Sequence, residues 1–399
     1  MYCVRKITED LYWVGGNDRR LALFENIHPI PKGVSYNSYL LMDDKTVLFD
    51  TVDWSIGRQF IENINAVLGN RSLDYMVINH MEPDHAACIE EIIIRYPGVK
   101  IVCSKKASLF MHQFGFDIDG KVTEVSEGDV MSFGKHVVTF VSAPMVHWPE
   151  VMVTFDTTNG VLFSADAFGS FGSLDGKLFN DEINFDRDWI DDARRYYTNI
   201  VGKYGPQVQD LLRKAGTIDI KTICPLHGPV WRNNLGYFLD KYDKWSRYAP
   251  EEKGVMIVYG TMYGNTEAAA NDLATRLVEK GITNVVMYDV SKTHVSYLIS
   301  ETFRYSNIVI ACVTYNLKIY PPMLSYIMDM KALNLQKRTF TLIENGSWAP
   351  QSGKLMRELL EEMKETIILD NEMSLNSNMK VDDIDSMESI ADSIIKSMN

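Results

Sequence analysis

The sequence predicts an α/β protein with two domains, an N-terminal layered domain of sheets and flanking helices followed by a doubly wound parallel sheet. Its 399 residues exceed what one hydrophobic core usually serves. The stretch Tyr248–Gly254 collects Pro, Gly and charged residues between two periodic segments, which is typical of a linker. We therefore expect an N-terminal domain at residues 1–249 and a C-terminal domain at residues 254–399.

Short strands with helices between them fill the N-terminal part. Tyr36–Met42 and Thr46–Asp50 flank a polar turn at Asp43–Lys45 and predict a β-hairpin. Further strands are predicted at Tyr75–Asn79, Val99–Cys103, His136–Ser142, Val151–Asp156, Val161–Ser164 and Thr222–Cys224. One apolar stripe at helical spacing predicts a helix, and it consists of Ile89, Ile92, Ile93 and Tyr96.

The C-terminal part alternates strand and helix more regularly. Strands are predicted at Val255–Tyr259, Asn284–Val290, Asn307–Val313, Arg338–Ile343 and Thr366–Leu369. Helices are predicted at Thr266–Lys280, Val295–Arg304, Met323–Met330, Lys354–Lys364 and Asp385–Ser397. An alternation of this length predicts parallel strands joined by helical crossovers.

Charge and cysteine content exclude several function classes. The net charge of −13, without a basic tract, argues against nucleic acids and anionic membranes as partners. The first nine residues include Arg5, Lys6 and Glu9 and contain no long apolar run, so no signal peptide is expected, and the longest apolar runs of the chain are strand-sized. Five scattered cysteines without a CxxC pair indicate reduced thiols in the cytoplasm. They also exclude a cysteine cage for a rubredoxin-type iron or an iron–sulfur cluster.

Candidate metal ligands follow a predicted strand end. The strand that ends at Asn79 leads directly into His80, Glu82, Asp84 and His85. Ligands gather at the carboxyl ends of strands in open α/β sheets, and Pro83 stops the segment from continuing as a regular element. A loop that turns there aims alternate side chains at two different points, as a dinuclear metal site requires.

Three more candidates follow other strands, namely His147, Asp166 and His227. Each of them alone is more often a structural histidine or a turn-capping acid than a metal ligand. Together with the first loop they place four histidines and three carboxylates at four strand ends. That set is enough for two metal ions with Asp166 between them.

A loop of small and hydroxyl residues joins the first strand and first helix of the C-terminal part. It contains Thr261, Met262, Tyr263, Gly264, Asn265 and Thr266. Backbone amides and the helix N-terminus supply positive potential for a phosphate, and the two threonine hydroxyls add donors. The patterns of dinucleotide-binding folds and of P-loops are absent.

Two further loops follow the third and fourth strands of this part and should reach the same sheet edge. They contribute Thr314, Tyr315, Asn316, Asn345, Gly346, Ser347 and Trp348. Tyr315 and Trp348 offer rings that stack on a flat ligand, and Gly346 lets backbone amides approach it. Loop packing is the alternative for either ring.

The segment from His80 to His85 resembles the His-x-His-x-Asp-His motif of the metallo-β-lactamase superfamily, with Glu82 in place of the second histidine. A carboxylate there favours iron or manganese over zinc. The variant His-x-Glu-x-Asp-His resembles the signature of flavodiiron proteins. By that resemblance His80, Glu82 and His147 bind one iron, Asp84, His85 and His227 bind the other, and Asp166 bridges them. His85 stays off the metal in some members of that family.

The loop at residues 261–266 is similar to the FMN phosphate loop of flavodoxins, so the whole chain resembles a two-domain flavodiiron protein. The resemblance implies a metallo-β-lactamase-like αββα sandwich followed by a flavodoxin-like doubly wound sheet. It implies two iron ions and FMN as cofactors, and reduction of O2 to water or of NO to N2O. It also implies a head-to-tail homodimer, or a dimer of such dimers. A rubredoxin is the expected electron donor, with a reduced deazaflavin as the alternative.

Two further features lie outside the ligand set. Tyr196 and Tyr197 resemble a family segment that approaches the diiron site, where a phenol would act catalytically by donating a hydrogen bond to bound oxygen. Simple packing of the two rings is the alternative. His28 stands where the family places residues that line the diiron pocket, with ordinary loop structure as the alternative.

Two other function classes stay open at this point. A zinc hydrolase joined to a flavodoxin-like module would use a zinc-bound hydroxide, and usually has a histidine in place of Glu82. A non-enzymatic electron carrier would not need an intact ligand set. Metal analysis separates the three classes as iron, zinc or no metal.

Overall fold

The computed structural model describes residues 2–398. The chain divides into two compact units, Met1–Asp243 and Lys244–Asn399. Tyr248 belongs to the hydrophobic core of the second unit, where Arg338 Nη1 donates to its carbonyl at 2.7 Å. The domain limits expected at residues 249 and 254 remain a prediction.

The first unit is a layered α/β structure. Its strands are β1 (Arg5–Lys6), β2 (Leu11–Trp13), β3 (Gly16–Asp18), β4 (Leu23–Phe24), β5 (His28–Pro29), β6 (Val34–Tyr36), β7 (Tyr39–Met42), β8 (Thr46–Phe49), β9 (Tyr75–Ile78), β10 (Lys100–Ser104), β11 (Val122–Val125), β12 (Val130–Ser132), β13 (Val137–Ser142), β14 (Met152–Asp156), β15 (Val161–Phe163) and β16 (Thr222–Cys224). Its α-helices are α1 (Gly57–Leu68), α2 (Pro83–Ala86), α3 (Ile89–Arg95), α4 (Lys105–Gln113), α5 (Phe185–Asp188), α6 (Ile190–Tyr196), α7 (Gly205–Ala215) and α8 (Leu235–Ser246), the last of which runs into the second unit. Single helical turns occur at Trp54–Ile56, Asn180–Glu182, Tyr197–Val201 and Gly202–Tyr204.

Two sheets pack face to face in this unit. The first has the order β1-β2-β7-β8-β9-β10-β11, and the second runs from β12 to β16 in sequence order. Apolar side chains of both sheets form the core between them, where Phe49 stacks on Phe163 with ring centroids 3.8 Å apart. Helices α1 and α4 contact the first sheet. The predicted sandwich is confirmed, as is the hairpin of β7 and β8.

One predicted strand is broken in two. Residues 36–42 form the end of β6 and the whole of β7, with Asn37 and Ser38 between them. Asn37 Nδ2 donates to the carbonyls of Pro225 and Gly228, both at 2.9 Å. Ser38 Oγ donates to the Asp50 carbonyl at 2.8 Å. These side-chain bonds turn the backbone, and they also hold the loop around residue 227 against this turn.

A buried ionic triad ties the two sheets together at one end of the sandwich. His136 Nδ1 lies 2.8 Å from Asp156 Oδ2, and its Nε2 lies 2.9 Å from Asp10 Oδ2. Burial alone lowers the pKa of His136, but hydrogen bonds to both carboxylates raise it to about 9. Burial alone raises the pKa of Asp10, but the hydrogen bond with His136 helps to hold that pKa well below its usual range.

We expect His136→Asn to lower the free energy of unfolding by about 3 kcal/mol near pH 6. Folding raises the pKa of His136 from its unfolded value to about 9, and a rise of that size contributes about this much stability. Because the folded pKa is raised, this contribution is complete below the unfolded pKa and disappears as the pH rises through about 9. Urea unfolding at pH 6 and pH 9.5 measures it. His112→Asn, an exposed substitution in α4, is the control. An equal loss at both pH values would contradict the prediction.

The second unit is a parallel sheet with helices on both faces. Its strands are β17 (Glu252–Gly260), β18 (Val285–Asp289), β19 (Tyr305–Tyr315), β20 (Lys318–Ile319), β21 (Thr339–Asn345), β22 (Ile367–Ile368) and β23 (Met373–Leu375). Its α-helices are α9 (Asn265–Glu279), α10 (Val295–Arg304), α11 (Pro321–Ala332), α12 (Ser352–Leu360) and α13 (Ile384–Ser397), with a single helical turn at Val381–Asp383.

The strand order β18-β17-β19-β21-β22 is that of a flavodoxin-like doubly wound sheet. The sheet separates two apolar clusters, one on the side of α10, α11 and α12 and the other on the side of α9 and α13. The predicted fifth strand at Thr366–Leu369 is present as the short β22, and β23, which was not predicted, also pairs in parallel with β21. Across residues 2–398, the helices are too short or too polar to cross a bilayer.

Candidate metal centre and phosphate-loop cavity

The first metal-ligand loop changes conformation at Pro83. Glu82 is extended at φ −59° and ψ 140°, as residues before proline usually are. Pro83 then begins α2, a position that suits its fixed φ and missing N–H. His80 and Glu82 therefore precede Pro83, whereas Asp84 and His85 lie on the helix. This is why one short loop supplies two groups of ligands.

Asp50 at the end of β8 fixes the start of this loop. Its Oδ1 accepts the backbone N–H of Asn79 at 2.7 Å and that of His80 at 3.1 Å. Its Oδ2 accepts Asn79 Nδ2 at 2.8 Å. The next residue, Thr51, donates its hydroxyl to the His85 carbonyl at 2.6 Å. The loop is thus held at both ends by neighbouring strand residues.

The structure brings all seven predicted metal ligands together, in two groups. The first group consists of His80, Glu82, His147 and Asp166, and the second consists of Asp84, His85 and His227. Within each group the candidate ligand atoms lie within 4.8 Å of one another. This division matches the one that the family resemblance implies for the two irons. The assignment of each residue to a metal ion remains a proposal.

Asp166 faces both groups. Its Oδ2 lies 3.1 Å from His147 Nε2 and 3.4 Å from His80 Nε2. Its Oδ1 lies 3.1 Å from His85 Nε2 and 3.7 Å from His227 Nε2. A fully buried carboxylate that turns one oxygen to each group has the geometry of a bridging ligand.

The donor atoms fit two cations. Both oxygens of Asp84 and Oδ1 of Asp166 are buried and make no hydrogen bond to any described residue. Asp84 Oδ2 nevertheless lies 3.2 Å from His227 Nε2 and 3.4 Å from His85 Nε2. Carboxylate oxygens and ring nitrogens that converge in this way suit metal coordination, and the mixture of carboxylate and imidazole suits iron.

The cluster is short of positive charge. Burial and the neighbouring charge of Glu82 raise the pKa of Asp84 to about 7, although the charge of His85 acts in the opposite direction. Burial lowers the pKa of His147, but its hydrogen bonds to Asp166 and Glu82 raise it to about 9. Raised pKa values on buried acids and imidazoles indicate a site that lacks positive charge, which bound cations would supply.

Two histidines of the cluster are oriented by partners on their other ring nitrogen. His80 Nδ1 lies 2.8 Å from Glu150 Oε1, and His227 Nδ1 lies 2.8 Å from the carbonyl of Ser35. The sequence analysis did not find Glu150, because it lies 70 residues beyond His80 in the chain. Its only sequence signal is its place three residues after the candidate ligand His147.

Aromatic side chains pack against the second ligand group, which contains His227. The rings of Phe24 and Tyr196 each lie 5.4 Å from the ring of His227, and Phe171 packs on Tyr196 at 5.2 Å. The Tyr196 hydroxyl is buried and makes no hydrogen bond to the described residues. Tyr197 packs its ring on Tyr242 at 5.0 Å. The catalytic role expected for the two tyrosines remains a prediction, and Tyr196 is the one whose ring contacts a candidate ligand.

The segment that contains His28 lies beside Glu82. Burial raises the pKa of Glu25 to about 8, and the neighbouring charge and hydrogen bond of Glu82 add to this effect. His28 is buried, with Nε2 3.7 Å from Glu25 Oε2 and its ring 6.2 Å from that of Phe171. The sequence analysis singled out His28 in this segment, whereas Glu25 is the residue that reaches a candidate ligand.

The second unit has a cavity at the carboxyl edge of its sheet, with a volume of about 290 Å³. The phosphate-type loop after β17 contributes Thr261, Met262, Tyr263, Asn265 and Thr266. The loops after β19 and β21 contribute Thr314, Tyr315, Asn316, Asn345, Gly346, Ser347 and Trp348. The structure thus gathers the predicted cofactor residues at one edge, with Gly264 in the same loop as the N-cap of α9.

The loop geometry suits a phosphate. Gly264 has φ 92°, a left-handed conformation that glycine adopts without strain. Thr261 Oγ1 accepts the Gly264 N–H at 3.0 Å, which closes the turn. α9 then begins at Asn265, and its 15 residues direct the positive end of the helix dipole toward the cavity. A small hydroxyl-rich turn before a helix suits a phosphate, which agrees with the resemblance to the FMN loop of flavodoxins.

Exposed rings surround this cavity. Tyr263 is 92% exposed, Trp348 77% and Tyr315 40%. Large aromatic side chains in water at the mouth of one cavity are available to stack on a flat ring system. Ser377 also lines the cavity, and its hydroxyl donates to Ser347 Oγ at 2.8 Å. It follows β23, a strand that the sequence analysis did not predict.

The family models match both units. The model of the ODP family beta lactamases matches residues 34–228, and the flavodoxin model matches residues 257–384. The fold and the two sites therefore define a metallo-β-lactamase-like domain with a dinuclear donor set, joined in one chain to a flavodoxin domain.

Relatives align over most of the chain. The anaerobic nitric oxide reductase flavorubredoxin of Aeromonas hydrophila is 30% identical over 348 residues, which cover 86% of this chain and 70% of that protein. The flavorubredoxin of Klebsiella pneumoniae is 30% identical over 390 residues, which cover 96% and 79%. Rubredoxin oxygen:oxidoreductase from Desulfovibrio gigas has a TM-score of 0.92 at 28% identity, with 99% of this chain and 98% of that chain covered. The flavodiiron protein from Giardia intestinalis has the same fold, with a TM-score of 0.91 at 22% identity and coverage of 99% and 97%. The chain belongs to the flavodiiron protein family.

Proposed function

We propose that this protein is an oxidoreductase that reduces O2 to water, or NO to N2O, at a diiron site with electrons relayed through FMN. The observation that carries the proposal is Asp166, whose two oxygens face two separate groups of buried ligands. The names of two relatives support it, one an anaerobic nitric oxide reductase and the other a rubredoxin oxygen:oxidoreductase. Glu82 supports iron over zinc, because a hard anionic ligand stabilises the ferric state.

The seven candidate ligands hold the two irons in this proposal. One iron is bound by His80, Glu82 and His147, the other by Asp84, His85 and His227, and Asp166 bridges them. When bound, the irons supply open positions and electrons for a diatomic ligand, and FMN passes electrons singly. The three carboxylates offset most of the charge of two ferrous ions, which keeps the buried cluster close to neutral.

The surrounding side chains keep water out and offer one hydrogen bond. Phe24 and Phe171 close one side of the His227 group with apolar surface. Burial raises the pKa of Tyr196, and Asp166 and Glu82 raise it further, so its phenol keeps its proton. A protonated hydroxyl without a partner among the described residues is available to donate to a substrate oxygen.

The C-terminal unit supplies the FMN site. The phosphate is held by the turn at residues 261–266 and by the N-terminus of α9. Tyr315 and Trp348 would flank the ring system, and backbone amides near Gly346 would approach it. The flavodoxin model and the strand order support this assignment.

Several finer points belong to the same proposal. We take the domains as residues 1–249 and 254–399, and the assembly as a head-to-tail homodimer or a dimer of such dimers. A rubredoxin is the proposed electron donor, which the name of the Desulfovibrio gigas relative supports. The five free cysteines support a reducing compartment, for which we propose the cytoplasm.

One experiment tests the proposed function and determines whether O2 or NO is the preferred substrate. The purified protein is reduced without oxygen and mixed with O2 or with NO, and iron and FMN are quantified on the same sample. We expect about two irons and one FMN per chain, with rapid flavin reoxidation by at least one gas. In Asp84→Asn that rate should fall about 10- to 100-fold, because one subsite loses its only carboxylate other than the bridge.

The control makes the same exchange on the surface. Asp219 is 88% exposed and lies 3.8 Å from Lys221, so Asp219→Asn should leave metal content and rate unchanged. Zinc in place of iron would favour a hydrolase. Flavin reoxidation that is the same in wild type and in Asp84→Asn would favour an electron carrier, and either result would refute the proposal.

A further inference from the structure

Glu150, which lies outside the two ligand groups, contacts the ring nitrogen of His80 that faces away from the cluster. Glu150 Oε1 lies 2.8 Å from His80 Nδ1 and accepts the backbone N–H of Met81 at 2.9 Å. Glu150 is 2% exposed, so both contacts are shielded from bulk water. A buried carboxyl group is costly unless it is hydrogen-bonded, and these two donors determine where Oε1 points.

The pairing fixes the tautomer and the direction of the His80 ring. With the Nδ1 proton donated to Glu150, the Nε2 lone pair faces the opposite side. There Glu82 Oε2 lies at 3.3 Å and Asp166 Oδ2 at 3.4 Å. Metal-binding histidines commonly have such a partner on the second nitrogen, and a carboxylate partner makes the imidazole a stronger ligand.

The histidines of the second group have weaker support. His227 Nδ1 lies 2.8 Å from the carbonyl of Ser35, which is a neutral acceptor. His85 Nδ1 is buried and has no hydrogen-bond partner among residues 2–398. Of His80, His85 and His227, His80 is therefore the one whose second ring nitrogen contacts an acidic side chain.

We propose that Glu150 is a positioning residue for His80 and makes the His80 subsite the tighter of the two iron subsites. The inference rests on the proposed function, since it takes iron as the metal. Glu150 follows His147 by three residues, so the loop between β13 and β14 supplies one ligand and the support of another. Ser104 Oγ donates to the Glu150 carbonyl at 2.9 Å, which anchors the backbone independently of the carboxylate.

Glu150→Gln tests the inference, because it keeps the size of the side chain and an acceptor oxygen but removes the charge. In the purified full-length holoprotein, anaerobic competition with an iron(II) chelator measures the affinity of each subsite. Mössbauer spectroscopy on enriched iron separates the two sites. We expect one iron to bind about 10- to 100-fold more weakly, with the other unchanged. One of the two Mössbauer signals should shift.

Glu127→Gln is the matched control, since Glu127 is 49% exposed and pairs with Lys214 at 2.7 Å in the same unit. It should leave both affinities and both signals as in wild type. If Glu150→Gln does not fold, Glu150→Asp serves instead. It keeps the charge but withdraws the oxygen by one methylene, and the same selective weakening is expected.

The outcomes separate the inference from the function on which it rests. Two irons bound by Glu150→Gln within about twofold of wild-type affinity would overturn the inference and leave the diiron reductase intact. Equal weakening of both irons, together with a lower unfolding temperature, would show a structural role only and would also overturn it. A wild-type protein that takes up zinc or no metal would refute the proposed function, and this inference with it.

Discussion

Asp166→Asn is expected to empty both iron subsites and to slow flavin reoxidation by more than about 100-fold, beyond the usual effect of losing one outer-shell partner. The exchange preserves the shape of the side chain, so the effect comes from chemistry. Asp166 Oδ1 and Oδ2 lie 3.1 Å from His85 and His147, one in each ligand group. An amide places a hydrogen-bond donor at one of these positions and removes the negative charge that both cations would share in the proposed site. No other residue of the two ligand groups faces both subsites.

Iron content and reoxidation rate on the same sample measure the effect. FMN content should stay at the wild-type level, because the flavin cavity is lined only by residues of the second unit. Asp175→Asn is a suitable control, since Asp175 is 81% exposed and pairs with Arg19 at 2.9 Å. An Asp166→Asn protein that retains two irons would show that the carboxylate is not the bridge.

The clustering of the candidate ligands was predictable because their positions follow a topological rule. Side chains that bind ligands lie after the carboxyl ends of strands, and the strands before His80, Asp166 and His227 were evident from their apolar runs. The position of Pro83 made the division of the loop into two groups an expectation before the structure. The flavodoxin-like unit was predictable for the same reason, since its strand–helix alternation is regular and its loops meet at one edge.

Residues that act through other residues were not predictable. Glu150 and Glu25 reach His80 and Glu82 from segments far away in the chain, and no short pattern marks them. The break between β6 and β7 was missed because it depends on bonds from Asn37 to carbonyls about 190 residues later. Ser377 was missed because β23 is a three-residue strand with no periodic pattern of its own.

At the flavin site, Asn265→Asp is expected to weaken FMN binding about 100-fold. Asn265 is the first residue of α9 and lines the cavity. Two unit charges 4 Å apart repel by about 1 kcal/mol in bulk water and about 4 kcal/mol near a protein surface. A phosphate monoester carries nearly two charges, so a penalty of about 3 kcal/mol is reasonable, which corresponds to about 100-fold.

The same substitution should not harm the fold, and this makes the prediction specific. An acidic residue in the first turn of a helix interacts favourably with the helix dipole, so the unfolding temperature of the FMN-free protein should stay the same or rise slightly. Asn271→Asp is the matched control, because it places the same charge at an exposed position of the same helix, outside the cavity lining. Fluorescence titration of the FMN-free protein with FMN measures both variants. Riboflavin, which lacks the phosphate, should bind Asn265→Asp and wild type equally. A loss of riboflavin affinity as large as that for FMN would show that residue 265 contacts the ring system and that the phosphate lies elsewhere.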